Sequence, residues 1–278
     1  MTVFQILVLG LVQGIAELLP VSSSAHVIAA EKLMGLDPAA PQMTFLLVML
    51  HTGTMFAVIG YFWSAWYARY FASREAFLSN ARLVVVATAM TGVVGILLLL
   101  LIERVVLRGS PKAEVEQLFG NVYVMATGLA AAGVMIIVSG LKSKQQGSGP
   151  LGWRQSAWIG AVQGMCLPFR GFSRSGATIS TGLLLGIERL RAEEFSFALA
   201  VVLTPAVIAR EGYRLFKTAG SSTEVMALLW PSLLGMACSF VAGWLALRWL
   251  STWLERGRWH WFGYYCLFAA VAILALGR

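Results

Sequence analysis

The chain has 278 residues, of which 58% are hydrophobic and only 12% are charged, whereas a soluble domain carries about 25% charged residues. This composition excludes an ordinary soluble domain and predicts an integral membrane protein, because the chain holds several runs of the about 20 apolar residues that a membrane-crossing helix needs. The net charge of +8 would suggest a nucleic acid partner in a soluble protein. Here we expect none, because most basic residues lie in short loops between apolar runs, where membrane topology explains them.

The first apolar segment, 3–34, is interrupted by polar residues at membrane depth. Glu17 stands in an otherwise apolar run, and Gln13 precedes it by one helical turn, so that both side chains face the same way. A carboxylate at the bilayer centre costs about 2.5–3.5 kcal/mol and usually serves a function. The alternative is a carboxylate that lies near the membrane interface and is solvated there.

A cluster of hydroxyls and an imidazole follows the helix-breaking Pro20, in the run Ser22-Ser23-Ser24-Ala25-His26. Serines here are natural N-caps for a second short helix, and for Ser22 and Ser24 capping is an equally good explanation. Ser23 differs, because His26 lies three residues later and can face the same way. A hydroxyl near an imidazole and a carboxylate is the composition of an activated nucleophile. Glu17, Ser23 and His26 are therefore candidate catalytic residues.

Three uninterrupted apolar segments come next, and each predicts a full transmembrane helix: 43–63, 83–103 and 119–140. His51 lies within the first of them, beside Thr52 and Thr54. It is a weaker candidate for a side chain that faces a cavity.

The second broken segment, 154–187, contains the run Arg170-Gly171-Phe172-Ser173-Arg174-Ser175-Gly176-Ala177-Thr178. Two arginines in an apolar segment need an anionic partner, and the planar guanidinium matches phosphate oxygens. The glycines let the backbone approach a ligand, and the N-terminus of a helix that opens here attracts anions. The alternative, an ion pair between Arg174 and Glu17, leaves the glycines and hydroxyls unexplained. The candidate phosphate-binding residues are Arg170, Ser173, Arg174, Gly176 and Thr178.

Three more apolar segments complete the chain as predicted spans: 194–214, 226–248 and 259–277. Glu193 and Glu194 lie at the start of the first of them and are interpreted as helix-start charges. His260 lies among tryptophans and a tyrosine, which is typical of an interfacial aromatic belt. Cys166, Cys238 and Cys266 have no paired or metal-ligand spacing, so we expect no disulfide.

The two broken segments are related by an internal repeat of 150 residues, with six identities in 19 aligned positions: Gln5–Gln155, Gly10–Gly160, Val12–Val162, Gln13–Gln163, Gly14–Gly164 and Ser23–Ser173. We therefore predict one all-α polytopic membrane domain, 1–278, built from repeats at approximately 1–140 and 150–278. Non-helical backbone at membrane depth is tolerated only where protein or a wet cavity covers it, so each broken segment predicts a re-entrant helix pair. One such pair and three spans in each half require an inverted repeat, and the repeat predicts that the Ser23 and Ser173 breaks meet at one site.

The distribution of basic residues predicts the orientation of this arrangement. Eleven Lys and Arg residues lie on one predicted side and eight on the other, and the more basic side is expected to face the cytoplasm. Both termini are then expected outside, in a bacterial periplasm or its equivalent.

The motifs resemble those of a known family. Residues 13–26 and 171–178, together with Glu194-Phe195-Ser196-Phe197, resemble the bacterial undecaprenyl-diphosphate phosphatases of the BacA/UppP type, and the similarity in length and layout runs through the whole chain. The resemblance implies hydrolysis of undecaprenyl diphosphate to the monophosphate, which recycles the carrier for peptidoglycan and other wall polymers, and it implies bacitracin resistance. It also implies a bacterial inner-membrane location, with an active site that opens to the outer side.

The resemblance further implies roles for individual residues. The family's Glu/Gln-x-x-x-Glu motif falls on Gln13 and Glu17, its Ser and His on Ser23 and His26, and its phosphate motif on Gly171 to Thr178. A divalent cation, Mg²⁺ or Ca²⁺, is implied as well, with Glu17 and Gln13 as its ligands. Two positions depart from the family. Gln13 stands where many members have Glu, and because Gln cannot act as a base and is a poorer metal ligand, those roles fall mainly to Glu17. Arg170 replaces a proline.

Two hypotheses of function remain open at this stage. In a phosphatase, Ser23 would attack the terminal phosphorus while His26 or Glu17 takes its proton, or His26 itself would attack. In a polyprenyl phosphate flippase, the broken helices would serve alternating access. The expected partners are a polyprenyl diphosphate and membrane lipids, and a homodimer is a candidate assembly.

Overall fold

The structure is a computed structural model that describes residues 1–37, 41–106, 121–142, 149–218 and 222–276. The α-helices in these ranges are α1 Val3–Leu18, α2 Ser23–Leu33, α3 Pro41–Tyr70, α4 Arg74–Leu101, α5 Val122–Lys142, α6 Trp153–Cys166, α7 Arg174–Leu184, α8 Arg189–Thr218, α9 Ser222–Glu255 and α10 His260–Leu276. A π-helical turn, Ile102–Val106, continues α4. The described part of the chain contains no strand, only an isolated bridge between Gly149 and Ile187, so the all-α prediction is confirmed.

Five of the described helices are long and apolar enough to cross a membrane: Met43–Tyr70, Arg74–Val105, Val122–Lys142, Arg189–Arg210 and Leu229–Glu255. The sixth predicted span coincides with α10, which has 17 residues. At about 1.5 Å per residue, α10 is slightly shorter than a hydrocarbon core of about 30 Å. The chain is a multi-pass membrane protein.

Several helices extend beyond the apolar runs that predicted them. The segment 43–63 lies inside the 30-residue helix α3, and 226–248 lies inside the 34-residue helix α9. Hydropathy marks the part of a helix that suits hydrocarbon, whereas the helix ends where its backbone groups find other partners. At the start of α4, for example, Ser73 accepts a hydrogen bond of 3.0 Å from the Ala76 amide.

Each broken segment is a pair of short helices, as predicted. The first pair is α1 and α2, which have 16 and 11 residues, and the second is α6 and α7, which have 14 and 11 residues. The helices within each pair pack against each other. The four residues from Leu19 to Ser22 separate the first pair, and those from Leu167 to Ser173 separate the second.

The described helices group into two compact units. Unit 1 comprises Met1–Leu19, Ser23–Ser64 and Ala200–Leu250. Its core joins α1, α2 and α3 through apolar side chains, which are Ile6, Leu9, Val27, Met43, Leu46 and Leu50. Helix α9 packs closely on α1, because a Cβ at Gly10 would lie 2.9 Å from Cys238 Cβ and one at Gly14 would lie 2.6 Å from Ala242 Cβ.

Unit 2 comprises Pro20–Ser22, Ala65–Leu199 and Ser251–Arg278. Helix α6 packs on α4 through Gly160, whose added Cβ would strike Ala87, and through Gly164, whose added Cβ would lie 2.7 Å from the Thr91 carbonyl oxygen. Helix α5 packs on both α7 and α10. Gly10 and Gly14 of unit 1, and Gly160 and Gly164 of unit 2, thus make the same kind of close helix contact at positions related by the 150-residue repeat.

Substitution of Gly164 tests the α6–α4 contact. In Gly164→Ala, the new methyl group would meet backbone atoms of α4 that have little freedom to move, so we expect a loss of about 1–3 kcal/mol in the free energy of unfolding. The measurement is the unfolding midpoint of the purified protein in detergent. Gly92→Ala in α4 is the control, because its Cβ would point into open space and alanine favours helix. An unchanged midpoint in Gly164→Ala would contradict the close contact.

Candidate active site

The carboxylate of Glu17 is the centre of a hydrogen-bonded group at the end of α1. Ser23 Oγ donates to Glu17 Oε2 at 2.6 Å, and Gln13 Nε2 donates to the same oxygen at 3.1 Å. The Glu17 side chain is 17% exposed. The predicted proximity of Gln13, Glu17 and Ser23 is therefore present in unit 1, and a hydroxyl hydrogen-bonded to a carboxylate is the geometry from which a base can take a proton.

The short break after α1 brings Ser23 back to Glu17. Helix α1 ends before Pro20, which cannot continue the ladder of helix hydrogen bonds. Ser22 then adopts a left-handed backbone with φ of +66°, a conformation that costs a non-glycine residue about 1–3 kcal/mol and is common at functional sites. The chain reverses there, and α2 begins at Ser23.

His51 also faces the Glu17 carboxylate. Its Nε2 lies 3.7 Å from Glu17 Oε2, and the His51 side chain is 35% exposed. The sequence singled out His51 only as a weaker candidate, because a polar residue in an apolar span is a local signal that does not identify its partner. The packing of α1 on α3 decides that partner.

His26 lies on α2, one turn beyond Ser23, and is half-buried. Its position on the same helix as Ser23 agrees with the predicted helical spacing. Its catalytic role remains a prediction.

The second break leads into the N-terminus of α7. Ser173 is the N-cap of this helix and accepts a hydrogen bond of 3.2 Å from the Gly176 amide. Arg174 is the first residue of α7, and its side chain is half-buried. Because the N-terminus of a helix carries a partial positive charge and outward N–H groups, it favours an anion beside it. Ser173, Arg174 and Gly176, which are predicted phosphate-binding residues, therefore lie at a helix terminus.

The loop before α7 lies tightly against α5. Gly171 has φ of +98°, and an added Cβ would collide with the Met125 carbonyl, so both its conformation and its contact require glycine. Arg170, which precedes it, is half-buried, and its carbonyl oxygen would lie 3.1 Å from a Cβ at Gly128.

Residues of the first break also contact the start of α7 within unit 2. A Cβ added to Gly176 would lie 3.2 Å from Pro20 Cβ, and Cys266 Sγ of α10 lies 3.2 Å from the Pro20 carbonyl oxygen. Pro20 is therefore packed between α7 and α10.

A network of buried hydroxyls holds α7 in place. Thr178 Oγ1 donates to the Arg174 carbonyl at 2.8 Å and lies 2.6 Å from Ser196 Oγ of α8, and both Thr178 and Ser196 are fully buried. The role of Thr178 as a phosphate ligand remains a prediction, and these contacts give its hydroxyl a second role in joining α7 to α8. Ser196 belongs to the segment 194–197 that resembles the family, but its contact with Thr178 was not predicted, because the partner of a lone serine in a helix has no local signal.

A second hydrogen-bonded group secures α7 further along. Ser139 Oγ of α5 lies 2.9 Å from Ser180 Oγ, and Trp259 Nε1 lies 3.1 Å from both hydroxyl oxygens. All three residues are buried. The helix that begins at Arg174 is thus tied to its neighbours through two hydroxyls of its second turn, those of Thr178 and Ser180.

The residues around Glu17 can be tested against the divalent cation that the sequence implies. Gln13 is fully buried, and its Oε1 has no hydrogen-bond partner among the described residues. That oxygen and the Glu17 carboxylate are the oxygen ligands that Mg²⁺ and Ca²⁺ prefer, and Mg²⁺ commonly takes only one or two carboxylates together with substrate phosphates. No group of three or more His, Cys, Asp and Glu side chains converges in the described residues. One carboxylate and one amide oxygen match only the small set of protein ligands found where substrate phosphates complete the coordination of Mg²⁺.

The interpretation of Glu193 and Glu194 as helix-start charges is wrong. Helix α8 begins at Arg189, and its first turn holds no acidic residue. Glu193 is fully buried and accepts a hydrogen bond of 2.6 Å from Ser251 Oγ. Glu194 Oε2 lies 3.0 Å from Arg69 Nε and 3.7 Å from Arg191 Nη1. Both carboxylates therefore link the second turn of α8 to neighbouring helices within unit 2, Glu193 to Ser251 of α9 and Glu194 to Arg69 of α3.

The remaining weaker candidates have structural surroundings. His260 packs against the rings of Trp261 and Tyr264, at centroid distances of 5.7 and 6.0 Å. Cys166, Cys238 and Cys266 are free thiols, as predicted.

Comparison with known proteins gives a consistent result. The family model "Bacitracin resistance protein BacA" matches residues 6–272. The chain is 57% identical to an undecaprenyl-diphosphatase 2 of Acinetobacter baylyi, over 99% of this chain and 98% of that protein. It is 34% identical to an undecaprenyl-diphosphatase of Thermus thermophilus over 91% and 89% of the two chains, and 29% identical to one of Rhodopirellula baltica over 98% and 97%.

Removal of the Thr178 hydroxyl tests the network around α7. Thr178→Val keeps the side-chain shape but leaves the buried Ser196 hydroxyl without this partner, so we expect the free energy of unfolding to fall by about 1–3 kcal/mol. Thermal unfolding in detergent measures this. Thr181→Val is the matched control, because the Thr181 hydroxyl donates to the Ala177 carbonyl of its own helix. Equal effects of the two substitutions would argue against a specific contribution of the Thr178–Ser196 contact.

Proposed function

We infer that this chain, which belongs to the bacitracin resistance protein BacA family, is a membrane phosphatase that hydrolyses undecaprenyl diphosphate to undecaprenyl phosphate and inorganic phosphate. Relatives that align with nearly its whole length bear the name undecaprenyl-diphosphatase. The reaction regenerates the lipid carrier used for peptidoglycan and other wall polymers, and it accounts for the bacitracin resistance in the family's name. The observation that carries the mechanism is the 2.6 Å hydrogen bond from Ser23 to Glu17.

In the proposed reaction, Ser23 is the nucleophile and Glu17 is its base. Glu17 Oε2 takes the Ser23 proton while Oγ forms a bond to the terminal phosphorus, and the bond from that phosphorus to the lipid phosphate breaks. Water then attacks the phosphoserine and releases inorganic phosphate. Gln13 supports this assignment, because its amide donates to the same oxygen at 3.1 Å and so helps to hold the side chain beside Ser23. His26, one turn along α2, is the alternative nucleophile.

The phosphate groups are assigned to the start of α7. Arg174 presents a guanidinium that pairs with two phosphate oxygens at once, and Ser173, Gly176 and the helix N-terminus add a hydroxyl and backbone N–H groups. Arg170 contributes a second positive charge near the loop. The support is the capped N-terminus of α7, together with the contact of Pro20 with Gly176 within unit 2.

A divalent cation, Mg²⁺ or Ca²⁺, would be held by Glu17 and Gln13. When bound, such an ion neutralises negative charge on phosphate oxygens. The unpaired Gln13 Oε1 supports this part of the proposal.

We also propose that the domain is an inverted repeat in the bacterial inner membrane, with the active site opening to the outer side. The matching glycine contacts of α1 on α9 and of α6 on α4 support two related halves. The small excess of basic residues on the predicted cytoplasmic side supports the orientation. A homodimer remains a prediction.

Substitution of Glu17 tests the base. Glu17→Gln keeps the size of the side chain but cannot take the Ser23 proton, so phosphate release should fall by about 10²–10⁴-fold. Phosphate release by Ser23→Ala should fall to a similar level, because the two residues act as a unit. The measurement is inorganic phosphate released from undecaprenyl diphosphate in detergent, and Glu75→Gln, at the exposed start of α4, is the control. Near-normal turnover by folded Ser23→Ala would make His26 the nucleophile instead.

Substitution of Arg174 tests the phosphate site. Two charged hydrogen bonds of about 1.5–3 kcal/mol each are lost in Arg174→Ala, so turnover should fall by roughly 10²–10⁴-fold. Arg174→Lys should recover only a part, because an ammonium lacks the planar fork. The control is Arg154→Ala, whose guanidinium is exposed and stacks on Trp153. Retained activity in folded Arg174→Ala would refute the assignment.

A further inference from the structure

The imidazole of His51 is oriented by its own helix. Its Nδ1 lies 2.8 Å from the Leu47 carbonyl oxygen. A carbonyl oxygen can only accept a hydrogen bond, so Nδ1 carries the hydrogen and donates it. In the neutral ring, the lone pair is therefore on Nε2, which is the nitrogen that faces Glu17. Histidines that bind metal ions characteristically donate the other ring N–H to a carbonyl or carboxylate in this way.

Two lone-pair donors then face each other across a short gap. His51 Nε2 and Glu17 Oε2 are 3.7 Å apart, which is longer than the about 2.7–2.9 Å of a charge-assisted hydrogen bond. Metal–ligand bonds of about 2.0–2.2 Å to imidazole nitrogen and carboxylate oxygen allow one ion to bridge that distance. A proton on Nε2 is the other way to join the pair.

Gln13 carries a further oxygen on the amide group that is hydrogen-bonded to Glu17. Gln13 shares the Glu17 oxygen through its Nε2, and its buried Oε1 has no hydrogen-bond partner among the residues that the structure describes. An amide oxygen, a carboxylate and an imidazole form a mixed set of ligands that leaves positions open for phosphate oxygens. Imidazole shifts the preference of such a site from Mg²⁺ and Ca²⁺ towards first-row transition ions.

We propose that His51 is a ligand of the divalent cation held by Glu17 and Gln13, and that this chain therefore accepts Mn²⁺ or a related transition ion at its active site. This inference rests on the proposed function, because the ion is assigned to the phosphatase site. His51 then adds a protein ligand at a site where Gln13 supplies a neutral oxygen and Glu17 the negative charge.

Electron spin echo envelope modulation of the Mn²⁺-loaded protein tests this inference without turnover. The wild-type protein should show modulation from an imidazole nitrogen, and labelling of histidine with ¹⁵N should change its frequencies. The chain has three histidines, so the double variant His26→Asn/His260→Gln leaves His51 as the only imidazole. That variant should keep the modulation, whereas His51→Gln should lose it.

Affinity provides a second measurement. In His51→Gln, binding of Mn²⁺ should weaken at least about tenfold, the lower end of losses seen when metal sites are perturbed, while binding of Ca²⁺ should change less. His260→Gln is the matched control, because its ring packs against Trp261 and Tyr264. The double variant keeps the test decisive if His51→Gln does not fold.

Several results would overturn the inference. These are an absence of Mn²⁺ binding, bound Mn²⁺ without nitrogen modulation, modulation that survives in His51→Gln, or modulation that disappears in the double variant. Phosphate release, measured in parallel, separates this inference from the proposed function. Hydrolysis without nitrogen coupling would show that His51 is not a ligand, while the proposed phosphatase activity would stand. Nitrogen coupling without hydrolysis would support His51 as a ligand and contradict the proposed function.

Discussion

The rest of the site depends on the carboxylate of Glu17, because a charged group within an apolar helix is stable only among polar partners. Glu17 finds them in three elements: Gln13 on its own helix, Ser23 at the start of α2 and His51 on α3. The break at Pro20 exists to serve this arrangement, since an unbroken helix would carry Ser23 away from the carboxylate. The same contacts place a serine hydroxyl directly on the Glu17 carboxylate, at 2.6 Å, which is the geometry on which the proposed mechanism rests.

The two related halves of the chain use similar packing for different chemistry. Gln13 donates to the Glu17 carboxylate, whereas Gln163, at the matching repeat position, donates to the Thr91 hydroxyl at 3.0 Å. Ser23 likewise donates to a carboxylate, whereas Ser173 caps a helix that begins with Arg174. Close glycine contacts keep the scaffold alike in both halves. The polar residues at the breaks differ, however, since Glu17 precedes the first break and Arg174 follows the second.

Placement of α7, the helix to which phosphate binding is assigned in the proposed function, depends on buried hydroxyls. Between helices in a bilayer there is little hydrophobic driving force, so small residues and interhelical hydrogen bonds carry much of the specificity. Helix α7 follows this rule, with Thr178 bonded to Ser196 and with Ser180 bonded to Ser139 and Trp259. The start of α7 is thereby held in place, with the partial positive charge that every helix N-terminus carries.

The sequence by itself determined the membrane class, the helical fold, the positions of the apolar segments and the two polar breaks, because composition and local periodicity are properties of neighbouring residues. The polar residues at the breaks also predicted the contact between Ser23 and Glu17, which a single chain reversal produces. Only the tertiary structure decided that His51 faces Glu17, that Ser196 joins Thr178 and that Glu193 is buried against Ser251. The last two pairs are 18 and 58 residues apart. Their partners are set by which faces of separate helices pack together, and no local pattern in an apolar chain specifies that choice.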